Sequence, residues 1–393
     1  MISEKMHKLT KSNSVIRAMF EEGNRLAALH GRENVFDFSL GNPNIPPPEA
    51  VKKAIIDIAG SEEPVALHGY MTNAGFPEVR RAIADSLNER FETAFGEKNI
   101  IMSVGAAGGL NVVLKTLLNP GDEVIVISPY FVEYGNYVSN FDGKLVVVPA
   151  SRGDFQPDAE TLSAAVTPRT KAVILNSPNN PTGAIYSEES IKGLADALAR
   201  KERERGEPVY IVSDEPYREL AYDGACVPFI TKYYRNTIVC YSWSKSLSLP
   251  GQRIGYILIP SEIDDYALIF DAAGIATRIL GFVNAPSLIQ KVVARCLGEK
   301  TDVSAYDDNR KLLYQGLKEC GYDLAYPQGA FYLWLKTPGD DKEFAATAKK
   351  YNILTVPGTA FGCPGYIRIS YCVAKSTIEK SLPAFRKLAD EVF

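Results

Sequence analysis

Between about residue 95 and residue 260, short runs rich in Val and Ile alternate with segments of helical spacing. No other feature limits the possible folds of the chain as much. The runs are IIMSV, EVIVIS, KLVVVPA, AVILNSP, VYIVSDE, TIVCYS and RIGYILIP, while GAAGGLNVVLKTLLNPGD, FVEYGNYV and a stretch from about Ser187 read as helices. Runs that are apolar throughout indicate strands buried on both faces. Their alternation with helices predicts an α/β fold, a large domain whose mostly parallel sheet is flanked by helices. One long helical region is expected from about Ser261 to Leu297 and beyond. Past it, AFYLWLK, ILTVP and YIRISYCV mix with the helices KEFAATAKKY and KSTIEKSLPAFRKLADEV, as in a smaller α+β domain. The first 40 residues read as an amphipathic arm and a helix (roughly Ser14 to Leu29). They lead into SLGNPNIPPPEAV, whose prolines cannot continue a helix or a central strand. The expected division is an arm and small-domain segment at 1–48, a large domain at 49–290 and a C-terminal small domain at 291–393.

Charge excludes several functions. Lys plus Arg number 43 and Asp plus Glu 47, a net charge of −4, which offers no basic field to nucleic acid or an anionic membrane. The run RKERERGE, from Arg200 to Glu207, mixes signs and reads as the solvated end of a helix. No apolar stretch approaches the roughly 18 residues of a membrane span, and the N-terminus lacks the apolar core of a secretory signal. Six scattered cysteines without a C-x-x-C pair indicate reduced thiols of a cytoplasmic protein. The three histidines, His7, His30 and His68, have no ligand or triad spacing. Acid–base chemistry in this chain therefore falls to another residue.

In open parallel sheets, ligands bind beyond the carboxyl ends of the strands. After IIMSV come Gly105, Ala106 and Ala107, opening a helix whose N-terminal amides could hold an anion. Phe131 comes after EVIVIS, and Asn176 to Gly183, with Asn180, after AVIL. Asp214, Glu215 and Tyr217 come after VYIVS, while Ser242, Ser244 and Lys245 come after TIVCY, with Arg253 eight residues beyond the lysine. Each has a bland reading alone: a turn, a helix cap, a core aromatic or a surface charge. A nucleophilic lysine needs its neutral amine, and burial near a second cation would favour that form.

The order NNPTG, SDEPY, SxSK and then Arg253, each at a strand end, resembles the pyridoxal-phosphate-dependent aminotransferases of the aspartate aminotransferase fold family, class I/II. LGNPN, GYMTNAGFPEVRRAIA, NPGDEVIVISPYF and GYIRIS extend the likeness over nearly the whole chain. The resemblance implies that Lys245 joins pyridoxal 5′-phosphate covalently and moves the substrate proton. It implies that Asp214 pairs with the ring nitrogen, that Tyr217 and Asn180 donate to the ring 3′-oxygen, and that Phe131 stacks on the ring. The phosphate would be held at Gly105, Ala106, Ala107, Ser242, Ser244 and Arg253. Tyr70 would reach the phosphate of a second subunit, in a homodimer with shared active sites. Arg368, helped by Asn180 and Gly41, would grip the substrate α-carboxylate.

The implied activity is transfer of an amino group from an L-α-amino acid to a 2-oxo acid, with aspartate as a candidate donor. Ala107 departs from the lysine that some aspartate-using relatives place there, which leaves Arg17 and Arg278 as candidates for a distal-carboxylate clamp. A carbon–sulfur β-lyase would keep Lys245, Asp214 and Arg368. A non-catalytic ligand-binding regulator on the same body would be expected to carry a DNA-binding domain ahead of it. Only about 40 residues precede LGNPN, with no basic helix-turn-helix pattern.

Overall fold

The computed structural model describes residues 2–11, 15–151 and 153–393, leaving aside the side chains of residues 11, 15–18 and 20. A seven-stranded sheet forms the centre. Its spatial order is Ile100–Ser103, Gly255–Leu258, Thr237–Ser242, Tyr210–Asp214, Thr170–Asn176, Glu123–Ser128 and Lys144–Pro149. The last five of these run parallel. Gly255–Leu258 pairs antiparallel with both of its neighbours. Two antiparallel steps restore the direction, so Ile100–Ser103 ends on the same edge as the parallel strands. The sequence pattern shows the strand RIGYILIP but not this reversal, which sends the chain back through residues 243–254 and places Arg253 at the same edge.

The inner strands are mostly apolar because helices cover both faces, while the edge strand Lys144–Pro149 is largely exposed. Thr237–Ser242 and Ile100–Ser103 are buried at every position. On one face Leu110, Leu114, Val126, Ile238 and Ile257 share a core, and on the other Ile125, Val173, Ile211, Leu194 and Leu198 do. A fully buried aliphatic side chain of this size contributes about 1.5–3 kcal/mol, so these packed faces dominate the sheet's stability. The helix Glu188–Arg205 starts at Ser187, whose Oγ accepts the Ser190 N–H at 3.0 Å, and ends at Gly206. The mixed-charge run is its last turns, as expected.

The expected long helical region is two helices, Tyr266–Ile279 and Ser287–Arg295. Gly281, at φ 85°, and Pro286 stand between them and account for the break. The N-terminal helix is Val15–His30, and a further helix that the pattern did not indicate, Glu4–Lys11, precedes it.

A four-stranded antiparallel sheet has the order Val356–Pro357, Tyr366–Ser370, Tyr332–Lys336 and Asp323–Leu324. ILTVP is thus not one strand. Its Ile353–Leu354 half pairs parallel with Phe36–Asp37, and its Val356–Pro357 half joins the four-stranded sheet. This ties the segment after the N-terminal helix to the C-terminal part of the chain; Phe38 packs against Phe385 in the core there. Residues 42–48 form no helix or strand. Among the described residues, no helix is long and apolar enough to cross a membrane.

Gly255 opens the reversed strand where two backbones nearly touch. A Cβ there would lie 2.2 Å from the Tyr241 carbonyl oxygen and 3.0 Å from the Gly105 Cα. Gly255→Ala must therefore spread the strand from Gly105, and should destabilise the apoprotein by about 3 kcal/mol in chemical denaturation. An unchanged midpoint would mean that the backbones do not approach this closely.

Candidate active site

A cavity of about 620 Å³ opens where the strand ends meet the segment around Gly41 and the four-stranded sheet. The strand ends and the turns after them contribute Ala106, Ala107, Phe131, Asn176, Asn180, Asp214, Tyr217, Ser242, Ser244, Lys245 and Arg253. Gly41 comes from the N-terminal side, and Tyr332 and Arg368 from the four-stranded sheet. Residues spread over more than 300 positions thus meet in one place.

Lys245 lies in a single helical turn, Trp243–Ser246, directly after its strand. Its Nζ donates to the Gly41 carbonyl at 2.7 Å and sits 5.1 Å from the Phe331 ring centre. Burial of the amine holds its pKa down at about 8. The Cys372 thiol opposes this shift, and the Arg368 and Arg253 charges add to it. The carbonyl contact needs a bare backbone at residue 41, where a Cβ would fall 1.9 Å from the Tyr332 hydroxyl.

Asp214 is 5% exposed, and no Lys or Arg among the described residues pairs with it. Tyr134 donates to its Oδ2 at 2.6 Å, while Oδ1 is buried with no hydrogen-bond partner. Burial pushes this carboxyl up to about 7, the Tyr134 hydrogen bond works against the rise, and Glu215 adds to it. Asn176 Nδ2 donates to the Asp214 carbonyl at 2.9 Å, and Asn176 Oδ1 accepts the Asn180 N–H at 2.8 Å. Asn180 Oδ1 in turn accepts from Arg368 Nη1 at 2.9 Å. One buried chain of hydrogen bonds therefore joins the two ends of the cavity.

Arg368 is 2% exposed, with its guanidinium carbon 4.4 Å from the Tyr332 ring centre. Nη2 donates to the Ser39 carbonyl, and Nε is buried without a partner. No carboxylate neutralises it among the described residues, so an arriving anion is its natural counterpart. Arg253 sits apart, donating to the Pro250 carbonyl at 2.8 Å and the Val104 carbonyl at 3.3 Å. Ser242 and Ser244 hydroxyls lie 2.7 Å apart beside it. The first-turn amides of Ala106 and Ala107 have no intrahelical acceptors. This corner suits a phosphate, while the Arg368 end suits a carboxylate.

The structure brings together most of the residues singled out in the sequence. Gly105 does not line the cavity, although a Cβ there would come within 2.7 Å of Arg253 Nη2. Tyr70 is 93% exposed and outside the cavity of its own chain. Arg278 is also exposed and outside it, and the Arg17 side chain lies outside the described residues. Sequence reasoning missed Tyr134 and Tyr332. Tyr134 had a weak signal, since it stands three residues after Phe131 at the start of a helix and shares its face. Tyr332 had none. Its hydroxyl lies 3.0 Å from that of Tyr217, across 115 residues of chain.

The profile of the family "Aminotransferase class I and II" matches residues 33–385. The chain belongs to this family. Its members move an amino group between an amino acid and a 2-oxo acid and depend on pyridoxal phosphate, and this aminotransferase shares their fold. It is 31% identical over 377 residues to a probable aspartate/prephenate aminotransferase of Aquifex aeolicus, covering 91% of this chain and 92% of that protein. An amino transferase structure from Eubacterium rectale superposes with a TM-score of 0.97 at 47% identity, covering 100% of this chain and 99% of that one. Aspartate aminotransferase of Thermus thermophilus with maleate gives a TM-score of 0.84 at 29% identity, with 96% and 97% covered.

The environment of Lys245 makes a direct prediction. Because burial penalises its ammonium form, the neutral amine should appear as pH rises through about 8, well below an ordinary lysine. Modification of Lys245 by an amine-directed reagent in the apoprotein, with peptide mass spectrometry as the readout, should show that midpoint. Arg368→Leu should move it upward, since the Arg368 charge helps hold it down.

Proposed function

We propose that the cavity binds pyridoxal 5′-phosphate at Lys245 and that the transamination takes place there. The unpaired, buried Asp214 Oδ1 carries this reading, because it offers an acceptor that only an incoming donor can satisfy. The rest of the cavity fits the same group. Ala106, Ala107, Ser242, Ser244 and Arg253 would hold its phosphate, and Phe131 would pack on its ring. Tyr217 would donate to the ring 3′-oxygen while accepting from Tyr332. Asn180, whose Oδ1 is taken by Arg368, keeps its amide N–H groups for the same oxygen. When bound, pyridoxal phosphate supplies an aldehyde for amine exchange and a ring that accepts the electron pair left as the substrate Cα–H bond breaks.

Arg368 would pair with the substrate α-carboxylate and fix the amino acid with Cα near Lys245. Lys245, whose ammonium form burial disfavours, would take the proton from Cα and return it at the cofactor carbon, as general base and then acid. Asp214 would accept the ring N–H and hold that proton on the ring.

The names of the relatives point to aspartate as one donor. Among the described residues the cavity holds no cation besides Lys245, Arg253 and Arg368, each with a task, which favours a second subunit as the source of a cation for a distal carboxylate. A homodimer is part of the proposal. The exposed Tyr70 ring supports it, as do Leu268, Ile275 and Ile279 along one face of the helix Tyr266–Ile279. The division at 48 and 290 is also proposed, supported by the seven-stranded sheet lying within 100–258 and the four-stranded one within 323–370. A cytoplasmic location fits the six free cysteines.

The test is to add single L-amino acids to the loaded protein without any oxo acid. Loss of the starting cofactor absorbance, with one equivalent of 2-oxo acid, is the expected result. Persistent absorbance with accumulating ammonia and pyruvate would overturn the reading in favour of the β-lyase. Arg368→Leu should lower kcat/KM about 10²–10³-fold, the cost of losing one partner of a buried charge pair.

A further inference from the structure

Asp214 presents two different oxygens, and one phenol makes them different. Tyr134 is 1% exposed, in the helix Glu133–Asn140, and its hydroxyl reaches Oδ2 at 2.6 Å. An ionised carboxylate only accepts, so the phenol is the donor. The other charged or titratable groups near Asp214 are Glu215, Tyr137, Tyr217 and Cys240. Among the described residues, only Tyr134 hydrogen-bonds to its side chain. The Tyr134 ring also packs edge-on against Phe131, with centroids 5.5 Å apart and planes at 84°. A single buried residue thus touches both the proposed partner of the ring nitrogen and the proposed stacking partner of the ring face.

We propose that Tyr134 is a positioning residue for the reaction: by donating to Asp214 Oδ2 it keeps Oδ1 turned to the cofactor's ring nitrogen and keeps the carboxyl an acceptor there. The proposal rests on the cofactor reading above. Without the phenol, no other described side chain fixes the rotation of the carboxylate, and burial alone favours its protonated form. A protonated Asp214 would offer the ring nitrogen a donor where an acceptor is needed. Tyr134 itself touches no reacting atom.

The experiment compares apoprotein and its Tyr134→Phe variant with two ligands. One is pyridoxal phosphate, and the other is its analogue with carbon in place of the ring nitrogen. The substitution should weaken pyridoxal phosphate at least tenfold, the scale of one hydrogen bond to a charged group. It should change the affinity for the carbon analogue less than threefold, because that ring has no nitrogen for Asp214 to meet. Equal weakening of both ligands would mean that Tyr134 only supports packing, and no weakening of either would mean that its hydroxyl is idle. Each of these results overturns the proposal. If the unaltered protein bound neither ligand, the cofactor reading itself would fall, and this proposal with it.

Should Tyr134→Phe fail to fold, 3-fluorotyrosine at position 134 keeps the shape and makes a stronger donor. The midpoint of Asp214 ionisation in the apoprotein, measured by carbon-13 NMR of labelled aspartate, should then fall. An unmoved midpoint would overturn the proposal.

Discussion

A carboxylate kept out of water at the end of a central strand is the constraint around which the rest of the site is arranged. Strands that flank Tyr210–Asp214 on both sides and helices on both faces leave Asp214 no route to solvent except the cavity. Burying an unpaired charge is costly, and among the described residues no Lys or Arg pairs with this one. Its compensation is the Tyr134 hydroxyl at one oxygen and an unmet acceptor at the other. A site left incomplete in this way by the chain itself gains most from a ligand that brings a donor to that atom.

The positive charges are left open in the same way. Lys245, Arg253 and Arg368 line one cavity yet, among the described residues, have no carboxylate partners there. Their mutual repulsion, together with burial, explains why Lys245 gives up its proton so readily. Their anchors differ. Arg253 is anchored to backbone carbonyls at the small-residue corner, and Arg368 is held over Tyr332 at the end of the Asn176–Asn180 chain. In the proposed reading, phosphate and carboxylate would have separate seats. Backbone carbonyls, which accept without carrying a full negative charge, keep both guanidiniums in place and available.

Much of this was legible in the sequence, for a definite physical reason. A parallel sheet brings every strand's carboxyl end to one edge, so the residues just past each apolar run are the residues of the site. Phe131, Asn180, Asp214, Ser242 and Lys245 were all reachable that way. Arg253 was placed by its resemblance and not by the strand rule, because it precedes a reversed strand whose direction no apolar pattern shows. Tyr332 lies within the buried, mostly apolar part of AFYLWLK, and its hydroxyl is explained by Tyr217 and the bare backbone at Gly41. Tyr134 reads as a core aromatic of an amphipathic helix, which it also is. The long helical region expected from about 261 to 297 is present as two helices, and Gly281 and Pro286 mark the break that periodicity alone did not show. Tyr70 shows another limit: it is exposed and outside the cavity of its own chain.

All of these roles depend on Lys245 being the amine that meets the cofactor. The most direct measurement is to load the protein with pyridoxal phosphate, reduce it with borohydride and map the fixed cofactor by peptide mass spectrometry. The account predicts a single modified peptide, carrying the reduced cofactor on Lys245. Attachment at a different lysine, or an active enzyme in which nothing becomes fixed, would contradict it.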